Sequence, residues 1–253
     1  MGRYIYGGQC ASGFKGANKH YLTTRTYCGT DTHSTACTTW IVPTGITCAT
    51  FEIWGGGGAG APTCCCMCYG GEPGSGGAYS MKTIPVTPGA SYSFVVGCGG
   101  CANECWFNGN ACGCGGGTTY VSGTGLTNFC AEGGIGGRWC NASPTNTSLT
   151  GVRAVAYGGD INLRGIPAQM FGCGWYYGSG SCSISLTGGA PFGGGWQPTM
   201  ASVSQCQNPG ACGITGSFPG GGGGQRPMMN TSMCDCQAMC NGAGADGLII
   251  ITT

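Results

Sequence analysis

Glycine occurs in uninterrupted runs along this chain, at Gly55–Gly58, Gly115–Gly117, Gly193–Gly195 and Gly220–Gly224. No other feature restricts the possible folds as much. A glycine loses more backbone freedom on ordering than any other residue and has no side chain to bury. With 56 Gly among 253 residues, a conventional apolar interior cannot offset that loss everywhere. Collagen needs Gly strictly at every third position, and Gly55-Gly56-Gly57-Gly58-Ala59-Gly60-Ala61-Pro62 breaks the rule at once. Flexible linkers alternate Gly with Ser and carry few aromatics, whereas Trp, Tyr, Phe and Cys flank these runs. The remaining ordered form is an extended left-handed helix with three residues per turn and no internal hydrogen bonds. It is stable only when neighbouring helices supply N–H···O and Cα–H···O partners. A packed bundle of such helices is the expectation, with a disordered spacer as the competing one.

Between the runs the pattern is that of strands. Trp40-Ile41-Val42 is β-prone, Pro43-Thr44-Gly45 is a turn, and Thr47 to Trp54 resumes as a strand. Its Phe51 and Ile53 share one face, with Glu52 and Trp54 on the other. Ala78 to Val86 and Ser91 to Val96 read as a pair joined through Thr87-Pro88-Gly89-Ala90. Tyr92, Phe94 and Val96 point one way there, and Ser91 and Ser93 the other. Thr118 to Val121, Gly151 to Tyr157 and Leu248 to Thr253 are shorter candidates. No stretch has helical periodicity, so the class is all-β: a small antiparallel sandwich-like unit joined to packed polyglycine helices. Residues 1–39 are poorer in glycine and hold Arg3, Lys15, Lys19 and Arg25. They read as an N-terminal docking or cap segment, ahead of a glycine-rich domain at 40–253.

Charge excludes some functions. Charged residues are 7% of the chain and the net charge is +1, which lacks the concentrated basic footprint of a nucleic-acid binder. No apolar run is long enough to span a membrane, and the first residues read poorly as a secretory signal.

The 22 cysteines cluster at Cys64, Cys65, Cys66 and Cys68, at Cys98, Cys101, Cys105, Cys112 and Cys114, and at Cys234, Cys236 and Cys240. Cys173, Cys182, Cys206 and Cys212 lie between. Cys98-Gly99-Gly100-Cys101 has the spacing of a zinc or redox pair, but a zinc ribbon needs two such pairs. Disulfides that cross-tie loops without a core are the expected state, so neither metal nor cofactor is expected. Bound metal and buried thiols are the competing states.

The stretch Trp40-Ile-Val-Pro-Thr-Gly-Ile-Thr-Cys-Ala-Thr-Phe-Glu-Ile-Trp-Gly-Gly-Gly-Gly-Ala-Gly60 resembles the opening of a bacteriophage glycine-rich tail-fibre or adhesin domain. Gly76-Gly77-Ala78-Tyr79-Ser80, Val86 to Gly97, and Gly244-Ala-Asp-Gly-Leu-Ile-Ile-Ile251 extend the likeness to about a third of the chain, while residues 98–242 match in composition only. The resemblance implies a β unit bearing a polyglycine-helix sandwich, often at a fibre tip that touches the host. It also implies a virion-surface location, a homo-oligomer of the trimeric kind, and contacts to other virion proteins, here assigned to residues 1–39.

No nucleophile elbow, phosphate loop or zinc-protease motif is present, and the eight acids are scattered singly. Asp31-Thr32-His33 is the one local acid–histidine pair and reads as a solvated turn. A non-enzymatic role follows. Aromatics punctuate the glycine-rich part, and Trp and Tyr give large contact area at low entropy cost. Trp175, Tyr176 and Tyr177 lead the receptor-contact candidates, followed by Trp106, Phe107, Trp139 and Trp196, with Phe192 nearby in sequence. The expected function is host-surface attachment to a sugar or protein. An architectural virion component without a receptor is the alternative, and a secreted metal-binding protein a weaker one.

Overall fold

The computed structural model describes residues 18–23, 36–61, 72–102, 113–137, 153–171, 183–195, 198–201, 213–224 and 241–253. Among them there is no helix, and the strands run β1 Lys19–Thr23, β2 Ala36–Ile41, β3 Cys48–Trp54, β4 Tyr79–Pro85, β5 Ser91–Val96, β6 Thr119–Ser122, β7 Cys130–Ala131, β8 Ala156–Tyr157, β9 Ile161–Leu163, β10 Gln169–Phe171, β11 Ser183–Leu186, β12 Pro198–Ala201 and β13 Leu248–Thr252. Two five-stranded antiparallel sheets have the orders β1-β13-β3-β4-β9 and β2-β5-β6-β7-β8, and a three-stranded sheet has the order β10-β11-β12. The protein is all-β.

The period-2 pattern decides which side chains meet between the two larger sheets. Phe51 and Ile53 of β3 and Ile249 and Ile251 of β13 are fully buried against Tyr92, Phe94 and Val96 of β5 and Val121 of β6. The Phe51 ring lies 5.4 Å from Tyr92 and 6.4 Å from Phe94 between centroids, within the range where aromatic pairs add to plain burial. Ser91 and Ser93 face solvent, as their alternation requires.

The pairing of neighbouring strands is not what their spacing suggests. β4 and β5 do not form a hairpin across Thr87–Ala90; β4 pairs with β3 and β9, and β5 with β2 and β6. The turn at Val42–Thr47 likewise carries the chain from one sheet to the other. These two arches brace each other instead: Val42 N donates to Ala90 O at 2.9 Å, Gly89 N to Val42 O at 2.9 Å, and Val86 N to Thr47 O at 2.9 Å. Alternation is identical in a hairpin and in an arch, so only non-local pairing separates the two. β1, and all but the last two residues of β2, lie within residues 1–39. β1 forms an edge beside β13, and β2 an edge beside β5.

The glycine segments stand on one end of this sandwich. Residues 55–61 leave β3 and bond to their neighbours in strict rotation. Gly55, Gly58 and Ala61 donate to Ala78, Ser75 and Glu72; Gly56 and Ala59 donate to Gly117 and Cys114; Gly57 and Gly60 donate to Ala245 and Gly242. Its carbonyls accept from three further segments, at Gly134 and Gly137, at Gly100, and at Gly223. Six extended segments therefore surround one. A Cβ on Gly55 or Gly58 would overlap the backbone of Glu132 or Ile135, one on Gly56 the Cys98 carbonyl, and one on Gly57 the Gly221 carbonyl. Residues 72–78 repeat the arrangement: Gly74 and Gly77 donate to Gly223 and Gly220, Ser75 and Ala78 to Ile135 and Glu132, and Gly76 to Ile166. Every backbone donor from Gly55 to Ala61 is satisfied by another segment, as a buried backbone requires.

Two side chains join array to sandwich. Thr119 Oγ1, fully buried, donates to Trp54 O at 2.6 Å and accepts from Gly97 N at 3.0 Å. Asp246 Oδ1 accepts from Gly99 N at 2.7 Å. Burial pushes the Asp246 carboxyl above its ordinary 3.8, and the Gly99 N–H only partly offsets that. The folded chain thus holds this proton more tightly than the unfolded chain. The stability it contributes is complete in acid and is lost as pH rises through the window just above 3.8. Asp246→Asn keeps an acceptor for Gly99 and removes the titration. Thermal melts between about pH 3 and pH 6 should show a flatter stability profile for the variant than for the parent; parallel profiles would refute the assignment.

Candidate functional site

The array has two ends, and their chemistry differs. At the end remote from the sheets stand Ala61, Glu72, Gly113, Gly137, Gly224 and Asn241. These anchors are mutual neighbours: Ala61 N donates to Glu72 O at 2.7 Å, Gly113 N to Gly137 O at 2.9 Å, and Gly242 N to Gly224 O at 2.9 Å. Asn241 is buried and its Nδ2 donates to Gly60 O. Most sequence-predicted site residues belong to stretches outside the described residues: Trp106, Phe107, Trp139, Trp175, Tyr176, Tyr177 and Trp196, and cysteines 64, 65, 66, 68, 105, 112, 173, 182, 206, 212, 234, 236 and 240.

Three predicted cysteines are described. Cys98 is fully buried, and its carbonyl accepts from Gly117 N; the Cys114 carbonyl accepts from Ala59 N; Cys101 and Cys114 are half-buried. The C-x2-C pair at Cys98 and Cys101 is thus built into the array. Among the described residues no group of three or more His, Cys, Asp or Glu side chains is placed to hold a metal ion. Cys130 of β7 is a free thiol whose Sγ lies 3.9 Å from Asn128 Oδ1. Burial, then the Glu132 carboxylate, push it above its ordinary value, so it is less of a nucleophile than a free cysteine in water.

At the sheet end an aromatic cluster lies on the outer face of β3, β4 and β13. Trp54, Tyr79 and Leu248 are buried there with Ala190. The Trp54 and Tyr79 rings are 4.8 Å apart, and Trp54 Nε1 donates to Pro191 O at 2.7 Å. Tyr79 Oη donates to Glu52 Oε1 at 3.0 Å. Burial first, then that bond and the Glu52 charge, push the phenol well above its ordinary range, so it stays a donor. Phe192 completes the stack edge-to-face, 5.2 Å from Tyr79 at 78°, with 77% of its own surface exposed. The turn of Phe192 is tied to the next glycine segment by Gly194 N to Pro219 O at 2.7 Å and Ser217 Oγ to Gly195 O at 2.9 Å. Phe218, 52% exposed, stands on that second turn.

Sequence reasoning missed Phe218, Tyr79 and Glu52 as a group. Glu52 and Tyr79 look like ordinary strand residues, and only the β3–β4 register, Trp54 opposite Tyr79 and Glu52 opposite Met81, brings them side by side. The Phe192 signal was present in Phe192-Gly193-Gly194-Gly195, an aromatic beside residues with no side chain to bury it.

Among the described residues no helix is long and apolar enough to cross a membrane. No curated protein matches the chain at a significant level. A sequence profile described as a glycine-rich domain matches residues 30–253, which takes in both large sheets except β1, and the whole described array. The chain therefore belongs to the glycine-rich domain family.

Proposed function

We propose that the protein is a non-enzymatic structural component of a virion surface, of the phage fibre or adhesin type, that attaches to a host-surface molecule through aromatic loops. In this reading the glycine segments are polyglycine-II helices that form a stiff, side-chain-free block. The observation that carries it is the three-residue rotation of partners along Gly55–Ala61, the periodicity of a helix with three residues per turn and no internal bonds. Such a block holds its own shape without a large apolar core, which suits a part that must present loops rigidly outside a cell. The anchors Ala61, Glu72, Gly113, Gly137, Gly224 and Asn241 meet at one end. Between them in sequence lie Cys64 to Cys68, Cys105 to Cys112 and Cys234 to Cys240, which supports disulfide cross-ties there. Oxidised cysteines belong to compartments outside the reducing cytosol.

The deciding experiment uses purified chain on intact cells of a susceptible host. The chain should bind them and protect them from infection, and the joint replacement of Trp175, Tyr176 and Tyr177 by Ala should abolish both effects. A chain that occupies regular positions on a particle yet binds no cell would make it an architectural component instead. Intact mass before and after reduction, read beside the same assay, counts the bridges through two hydrogens lost for each.

A further inference from the structure

The turn at Phe192 is built against its own conformational preference. Phe192 has φ of 54°, in the left-handed region where a bulky side chain is strained. Elsewhere among the described residues the chain meets a positive φ with glycine, at Gly45, Gly89, Gly125, Gly158 and Gly220, or with Asn128, a type that tolerates it. Three glycines follow Phe192 directly, so an aromatic stands where glycine would remove the strain. Burial does not account for it, because 77% of the residue is exposed. One edge-to-face contact with Tyr79 holds the ring upright. The turn beneath is clamped by Ala190 N to Gly194 O at 3.0 Å, Gly193 N to Ala190 O at 3.1 Å and Trp54 Nε1 to Pro191 O at 2.7 Å. A rigid, strained, exposed aromatic gains its compensating contact from something outside the chain.

We propose that Phe192 and Phe218, with the Glu52–Tyr79 pair behind them, form a binding site for a neutral pyranose sugar where the glycine array meets the sheets. The C–H-rich face of a sugar ring stacks on an open aromatic face. Tyr79 Oη occupies one oxygen of Glu52, and the remaining lone pairs accept sugar hydroxyls. An anionic ligand is repelled by Glu52. A purely apolar one would strip water from that carboxylate and return nothing. A cation is held by one ring face and by the Glu52 charge, so a cationic peptide is the competing ligand that the test includes; Phe192 and Phe218, on separate turns of an open rim, offer the broad apolar surface that a sugar ring covers and a point charge does not. This site does not rest on the receptor reading, which concerns Trp175 to Tyr177.

The test presents the full chain to immobilised neutral oligosaccharides of glucose, galactose, mannose and N-acetylglucosamine, and then titrates the best-retained one by calorimetry. The parent should bind at least one of them. Phe192→Gly should weaken that binding by roughly tenfold or more while the melting temperature stays level or rises, because glycine relieves the strained φ. Phe218→Ala and Glu52→Gln should each weaken it as well. Retention of no neutral oligosaccharide overturns the proposal, as does a preference for a cationic peptide over all of them. Undiminished binding by Phe192→Gly also overturns it. If Phe192→Gly melts lower, Phe218→Ala decides, and full binding by that variant overturns the site.

Discussion

Gly57→Ala should destabilise the protein by about 3–5 kcal/mol, while Gly115→Ala should change stability by no more than about 0.5 kcal/mol. Both add one methyl group to a run of glycines, and sequence alone does not distinguish them. At Gly57 the new Cβ would overlap the backbone of Gly220 and Gly221. Those atoms cannot turn aside as a side chain would, and the segment that bears them is itself bonded to residues 55–61 and 72–78. Relieving the overlap therefore separates several segments at once. At Gly115 the nearest atom to the new Cβ is Gly134 O at 3.5 Å, an ordinary contact. Alanine also loses less entropy on folding than glycine, which offsets any slight crowding. For a domain of this size each kcal/mol moves the melting temperature by roughly 2–4 °C, so calorimetry should find Gly57→Ala lower by about 6–20 °C and Gly115→Ala level with the parent. Equal melting temperatures for the two would show that the segments are not packed backbone against backbone.

The second large effect is kinetic. Amides from Gly55 to Ala61 should exchange with solvent at least about 10⁴-fold more slowly than in an unstructured peptide, and only through global unfolding. Consecutive amides in this stretch donate to three different neighbours in turn. A local opening that frees one must displace three segments, so no small fluctuation exposes it. The exposed turn at Thr44 and Gly45 supplies an internal contrast and should exchange far faster. Hydrogen exchange read by mass spectrometry on peptides covering both stretches makes the comparison in one sample. Exchange of 55–61 at the rate of a loose coil would remove the basis for treating the glycine runs as an interior, and the proposed function with it.

Much of the sandwich was legible in the chain. The alternation of Phe51 and Ile53 against Glu52 and Trp54 placed those residues correctly on two faces of β3, and Tyr92, Phe94 and Val96 fell on the buried face of β5. Alternation is a local property, and burial follows it whatever strand comes alongside. Which strand comes alongside was not legible, because a short loop such as Thr87–Ala90 serves a hairpin and an arch equally. β7, β8 and β9 are two or three residues long, too short to display a period. The candidate site divides the same way. Phe192 stood out as an aromatic among glycines, but its strained φ, its contact with Tyr79 and the neighbouring Phe218 turn arise from residues far apart in sequence.

Pattern and composition together determined that the described residues form strands and no helix, and that the glycine runs must be enclosed by other backbone or not be ordered at all. A side-chain-free backbone has no other means of removing its polar groups from water. Only the tertiary structure decided which run lies at the centre: Gly55–Gly58 is enclosed on six sides, while Gly193–Gly195 lies at the rim with Gly195 open to space. The reason is that identical glycines differ only in their surroundings, and surroundings come from the packing of distant segments.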